Sequence, residues 1–112
     1  MGGMAAATLS THVLDTGTGR PAGGVLVSVF RGDELVGTGT TDADGRIPEL
    51  GAHGLAPGSY RIVFDVAPYF RGQPGGSAFF TRVTLEVELA DGGHYHVPLL
   101  VSRYGCVSYR GS

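Results

Sequence analysis

The chain has 112 residues, enough for one core and too few for two, and 42% of them are hydrophobic, which excludes wholesale disorder. Twenty Gly and six Pro argue against a helical bundle and for short strands joined by turns. The eight basic residues are all Arg, against ten acidic ones, for a net charge of −2; no basic stripe offers a nucleic-acid surface, no apolar run nears the roughly 20 residues of a membrane helix, and the lone Cys106 supports neither an internal disulfide nor a zinc spacing.

Residues 1–7 read as a disordered leader, and 8–112 as one β-sandwich domain. No positive segment followed by an apolar stretch marks a secretory signal, so a cytoplasmic protein is expected. Alternation over Thr8–Leu14 predicts a strand with Ser10, His12 and Leu14 on one face. Thr16–Gly19 and Pro21 break it. Val25, Val27 and Val29 alternate with Leu26, Ser28 and Phe30, a pattern that predicts a strand buried on both faces. Gly32-Asp33-Glu34 reads as a turn, followed by a short strand over Leu35–Thr40. Thr41–Arg46 is a carboxylate-rich turn, and a further strand is expected over Arg46–Leu50. Tyr60, Ile62, Phe64 and Val66 share one strand face; Val83, Leu85, Val87 and Leu89 share another, with Thr84, Glu86 and Glu88 toward water. Pro68–Gln73 is the one segment suited to a short helix, with Pro at its start. His94–Val101 alternates throughout, and Pro98 within it predicts an edge or a bulge. A last strand is expected within Tyr104–Arg110. Seven or eight short strands at this spacing predict an all-β sandwich.

Three islands bear on chemistry. His12, in Leu9–Asp15, is read either as a strand histidine satisfied by a neighbour or as a site residue. Thr41–Arg46 reads as an Asp-Gly turn whose carboxylates bond local backbone, since it lacks the closing Glu of a calcium loop. His94 and His96 stand two apart on one strand face, where they can serve a shared site or, with a third ligand, a metal. Tyr109-Arg110-Gly111-Ser112 directly follows a strand; either the strand simply ends there, or the Ser112 hydroxyl and α-carboxylate are expected at a fixed position. Cys106 is expected to pack as a small apolar residue.

Taken together, Leu9-Ser10-Thr11-His12-Val13-Leu14-Asp15, Thr41-Asp42-Ala43-Asp44-Gly45-Arg46, His94–Ser102 and the terminal Tyr-Arg-Gly-Ser resemble the 5-hydroxyisourate hydrolases, the enzyme branch of the transthyretin-like family. The likeness spans roughly residues 8–112. It implies a prealbumin-like sandwich of two four-stranded sheets with one short helix. It also implies a homotetramer, a dimer of dimers around a central channel. The family's catalytic and substrate-binding positions fall on His12, Arg46, His96 and Ser112. His94, Tyr109 and Arg110 take supporting roles, Arg110 through a structural ion pair. The implied reaction is hydrolysis of 5-hydroxyisourate, a small-molecule substrate, at a ring amide, with no metal or organic cofactor. Departures from the family's pattern fall at Thr81, at Arg103 and at Cys106-Val107-Ser108, near its subunit contacts.

Two other readings compete. A non-catalytic transthyretin-like protein would hold an aromatic small ligand in the same channel, but such a channel does not require His12, Arg46, His96 and Ser112 together. A structural sandwich module would leave its histidines incidental.

Overall fold

A computed structural model of the chain describes residues 6–90 and 92–111, the side chains of residues 52 and 53 aside. Its elements in order are β1 (Ala7–Asp15), β2 (Arg20–Pro21), β3 (Leu26–Arg31), β4 (Glu34–Thr40), β5 (Arg46–Leu55), β6 (Gly58–Asp65), α1 (Ala67–Arg71), β7 (Arg82–Leu89), β8 (Gly93–His96), β9 (Leu99–Val101) and β10 (Cys106–Ser108).

Two sheets face each other. The first is an antiparallel ladder in the order β4-β3-β6-β7. The second is organised by β1. On one side of it lie β8 and β9, both parallel to it; on the other lie β5 and β2, both antiparallel; β10 closes against β9. Six strand segments thus occupy four rows, the prealbumin-like sandwich expected, with α1 as its short helix.

Burial follows the alternation. Leu9, Val13, Val27, Val29, Ile62, Phe64, Leu99 and Val101 are at most 1% exposed and fill the space between the sheets. Each such side chain contributes about 1.5–3 kcal/mol when fully buried, so these positions fix which face of every strand points inward. Thr84, Glu86 and Glu88 lie on the exposed face of β7, as their alternation predicts.

The sequence expectations need correction at several points. β3 is buried on one face only: Leu26, on the other, is 46% exposed, because that face of the sheet has no layer over it. Arg46–Leu50 continues as strand to Leu55, through Gly51 and Gly54, both at positive φ, while the pairing with β1 shifts register twice. The run His94–Val101 is broken into β8 and β9 at Val97-Pro98, where proline removes a ladder donor. Only Cys106–Ser108 of the final segment is strand, and Cys106 is exposed rather than packed, because β10 is an outer row. The helix lies one residue earlier at its start than predicted and ends at Arg71, with Gly72 as its C-cap. Ala7, assigned to the leader, is the first residue of β1 and fully buried; residues 1–5 lie outside the described residues.

Arg103, where the family pattern differs, does structural work of its own. Its guanidinium donates to the carbonyl oxygen of Pro74 at 2.6 Å and to that of Ser77, and lies 5.9 Å from the Phe70 ring. It ties the turn before β10 to the loop that follows α1.

Candidate active site

Strand parity assembles the site. Leu9 and Val13 point into the core, so Thr8, Ser10 and His12 point to the opposite face of the sheet. The parallel register sets Thr8 beside His94 and Ser10 beside His96, leaving the intervening Tyr95 buried. On the other flank, the antiparallel register sets His12 beside Arg46 and Thr11 beside Ile47. Three strands from distant parts of the sequence therefore bring His12, Arg46, His94 and His96 onto one outward face. An open cavity of about 400 Å³ lies there, lined by Ser10, Thr11, Asp42, Arg46, Pro48, His94 and His96.

The turn before β5 anchors Arg46. The Asp42 carboxylate accepts the backbone N–H groups of Asp44 and Arg46, each at 2.9 Å. This is the local backbone capping that an Asp-Gly turn predicts. Gly45 has a φ of +75°, and a Cβ there would lie 2.4 Å from the Val13 carbonyl oxygen. The Gly45 carbonyl in turn accepts the Val13 N–H at 2.7 Å. Only glycine allows the turn to press onto β1 and deliver Arg46 beside His12.

The histidines of β8 are held by hydroxyls. Ser10 Oγ lies 2.8 Å from both His94 Nε2 and His96 Nδ1, and Thr8 Oγ1 lies 2.7 Å from His94 Nδ1. A serine hydroxyl, rather than a shared ion position, stands between the two rings. Among the described residues, no three His, Cys, Asp or Glu side chains gather as a metal cluster. Thr11 Oγ1 donates to the Val97 carbonyl at 2.6 Å, and the Val97 N–H donates to the Ser10 carbonyl at 3.0 Å, pinning the end of β8 to β1.

Gly111 pairs antiparallel with His96 and donates its N–H to the His96 carbonyl at 2.7 Å. A Cβ on Gly111 would sit 2.7 Å from His96 Cδ2, so the terminal segment lies flat against the imidazole because it has no side chain there. Arg110 stacks its guanidinium 4.3 Å from the Tyr95 ring centre, a cation–π contact. Tyr109 is exposed. Ser112 lies outside the described residues.

The surroundings of His96 disfavour its imidazolium form. Its pKa is lowered from the usual imidazole value, first by burial, then by the Arg46 guanidinium, then by His12 and His94. His12 is not among the cavity-lining side chains, but it is one of the groups that disfavour imidazolium at His96. The arrangement offers a neutral imidazole to accept or donate a proton, a guanidinium to hold an anion, and hydroxyls to orient the ring.

The sequence reading pointed to Arg46, His94 and His96 but left out Ser10, Thr8, Asp42 and Pro48. Ser10 carried one usable signal, its parity with His12. Its partners, some 86 positions away, depend on a parallel pairing that no local pattern announces.

Residues 9–111 match the family model described as the HIUase/Transthyretin family. The chain is 45% identical to 5-hydroxyisourate hydrolase 2 of Rhizobium meliloti, over 93% of this chain and 95% of that protein. It superposes on the Klebsiella pneumoniae 5-hydroxyisourate hydrolase with a TM-score of 0.86 at 38% identity, over 95% of this chain and 99% of that one. Transthyretin from Sparus aurata gives a TM-score of 0.81 at 29% identity, over 92% and 95% of the two chains.

Proposed function

The chain belongs to the HIUase/transthyretin family, and we propose that it is a hydrolytic member, opening 5-hydroxyisourate to 2-oxo-4-hydroxy-4-carboxy-5-ureidoimidazoline in urate degradation. The observation that carries this is the convergence of His96, Arg46, His94 and His12 on one open face, where burial and Arg46 lower the His96 pKa. Water attacks a ring carbonyl, the carbon–nitrogen bond breaks, and the departing nitrogen gains a proton. An imidazole suits both proton transfers. Arg46 cannot act as a base; its forked donors hold the anionic ring and the oxygen on which charge develops. His12 and His96 between them handle the water and its proton transfers, and Ser112 positions substrate. Water, two imidazoles and a guanidinium suffice, without metal or organic cofactor.

The binding-protein alternative is weaker. The relatives at 40–45% identity carry the hydrolase name, whereas the transthyretin stands at 29%. A binding channel also has no use for a histidine held neutral between a hydroxyl and a guanidinium.

A homotetramer, a dimer of dimers, belongs to the same reading. Phe79, Tyr104, Val107 and Tyr109 are all more than half exposed. A second open cavity, about 490 Å³, runs along the edge strand β7 to Tyr95, Val97 and Tyr109. Both features suit cover by another copy, which would also turn the outward site face into a channel wall. No helix among the described residues is long and apolar enough to cross a membrane, and a cytoplasmic location fits the proposed metabolic role.

Substitution tests the assignment. His12→Ala and His96→Ala should each lower turnover about 10²–10⁴-fold with the fold intact. The double variant should fall little further than the worse single one, because the two act as one unit on the same step. Saturable ligand binding without turnover in the unsubstituted protein would support the binding protein instead.

A further inference from the structure

Thr8, His94, Ser10 and His96 form an unbroken row of side chains with contacts of 2.7, 2.8 and 2.8 Å. The row begins at an exposed contact and ends at a part-buried one. It exists because β8 runs parallel to β1 in the register Thr8–His94 and Ser10–His96. Ser10 engages His96 at Nδ1, so Nε2 is the ring nitrogen turned away from the row.

We infer that Ser10 couples the tautomers of His94 and His96, making the row a reversible proton relay between His96 Nε2 and the solvent at Thr8. The inference rests on the hydrolase reading for its purpose but not for its geometry. Ser10 has one hydroxyl proton, and each neutral imidazole carries one ring proton. With Ser10 donating to one ring and accepting from the other, two arrangements result. In the first, Thr8 donates to His94 Nδ1, His94 Nε2–H donates to Ser10, and Ser10 donates to His96 Nδ1; the His96 proton is then on Nε2. In the second, every bond is reversed, and His96 Nε2 is bare. The two rings always carry the same tautomer.

Conversion between arrangements balances. A bare His96 Nε2 takes a proton from the attacking water. The His96 Nδ1 proton passes to Ser10 as the Ser10 proton passes to His94 Nε2. The His94 Nδ1 proton passes to Thr8, whose own proton leaves to solvent. His96 is then neutral and carries Nε2–H, ready to protonate the departing nitrogen. That donation draws a proton back along the row from solvent and restores the starting state. The relay answers a difficulty that the site itself creates. An imidazolium at His96 would face Arg46 on β5, His12 on β1 and His94 on β8, and it would be partly buried. Moving the charge out to the exposed end avoids holding it there. Thr8, Ser10 and His94 are therefore positioning residues for His96.

Ring-nitrogen ¹⁵N spectra of the full chain labelled in histidine read this directly, without substrate. The expected result is the same tautomer in His94 and His96 across the neutral range. In Ser10→Ala, the two rings should adopt tautomers independently. The same variant should lower kcat about 10–100-fold with KM little changed, within the range of general acid–base effects, and shift the acid limb of the pH profile. Ser10→Thr, which keeps the hydroxyl, should restore both readouts. Opposite tautomers in the unsubstituted protein, with both rings donating to Ser10, would overturn the relay. So would tautomers unchanged in a folded Ser10→Ala. Coupled tautomers in a chain that does not hydrolyse 5-hydroxyisourate would uphold the relay and overturn the hydrolase reading.

Discussion

His96 is gripped on two edges, by Ser10 at Nδ1 and by the backbone of Gly111 against Cδ2. The second grip depends on an absent methyl group, since a Cβ on Gly111 would stand 2.7 Å from the ring. Gly111→Ala is therefore expected to swing the imidazole out of place. A displacement near 1 Å costs about 10²-fold in rate, so kcat should fall by that order while the melting temperature stays close to that of the parent. The lowered His96 pKa makes a second prediction. With burial, Arg46, His12 and His94 all disfavouring imidazolium, the acid limb of kcat/KM should lie below the ordinary imidazole value of 6.5. In Arg46→Gln one of those charges is gone, so the His96 pKa should rise and the limb move toward 6.5, visible in a pH–rate profile. A limb that stays put would remove Arg46 from the electrostatics of His96. At this scale the sequence displayed the chemistry but not the contacts. Arg46 and His96 stood out in recognisable motifs, while Ser10 looked like an ordinary strand serine.

β1 is the element on which the site depends, because it carries Ser10 and His12 and pairs with β2, β5, β8 and β9. Gly45→Ala attacks that pairing. The substitution forces a non-glycine residue to a φ of +75° and drives its Cβ toward the Val13 carbonyl. Backbone strain alone should cost about 1–3 kcal/mol, measurable by denaturant unfolding. The far end of β1 is tied by α1, through Tyr69 donating its hydroxyl to the buried Asp15 carboxylate at 2.8 Å. Burial first, then the Asp15 carboxylate, push the Tyr69 pKa up to about 12 from 10.0. The folded state then holds the phenol proton more tightly than the unfolded state. The stabilisation is complete below pH 10 and is lost as pH rises toward 12. Tyr69→Phe should flatten that alkaline decline in a stability–pH series. The alternating strands β6 and β7 were legible because burial on one face imposes a period of two, whereas β3 was legible as a strand but not as one buried on a single face. The second half of β5 was not legible. Gly51 and Gly54 lie beyond the strand expected over Arg46–Leu50, yet pairing with β1 carries the strand through them with two register shifts. Pro98 signalled an irregularity, read as an edge or a bulge; it marks the break between β8 and β9, because proline cannot donate to a ladder.

For the molecule as a whole, the two-sheet sandwich has a simple consequence. The core lies between the sheets, so the site lies on the outside of one of them, open to solvent in a single chain. Sheet pairing across a parallel register was hidden in the sequence, whereas the overall class was visible from composition and alternation. The proposed assembly predicts a solution mass four times that of the 11.6 kDa chain by light scattering, and a stable monomer would contradict it. The central claim, that this outward face hydrolyses 5-hydroxyisourate, is tested most directly in a coupled ultraviolet assay. Urate oxidase generates 5-hydroxyisourate in the cuvette, and its decay is followed with and without the protein. Decay far faster than the spontaneous rate, and returned to that rate by His96→Ala, is the predicted result. Decay at the spontaneous rate in the presence of folded, unsubstituted protein would contradict the account.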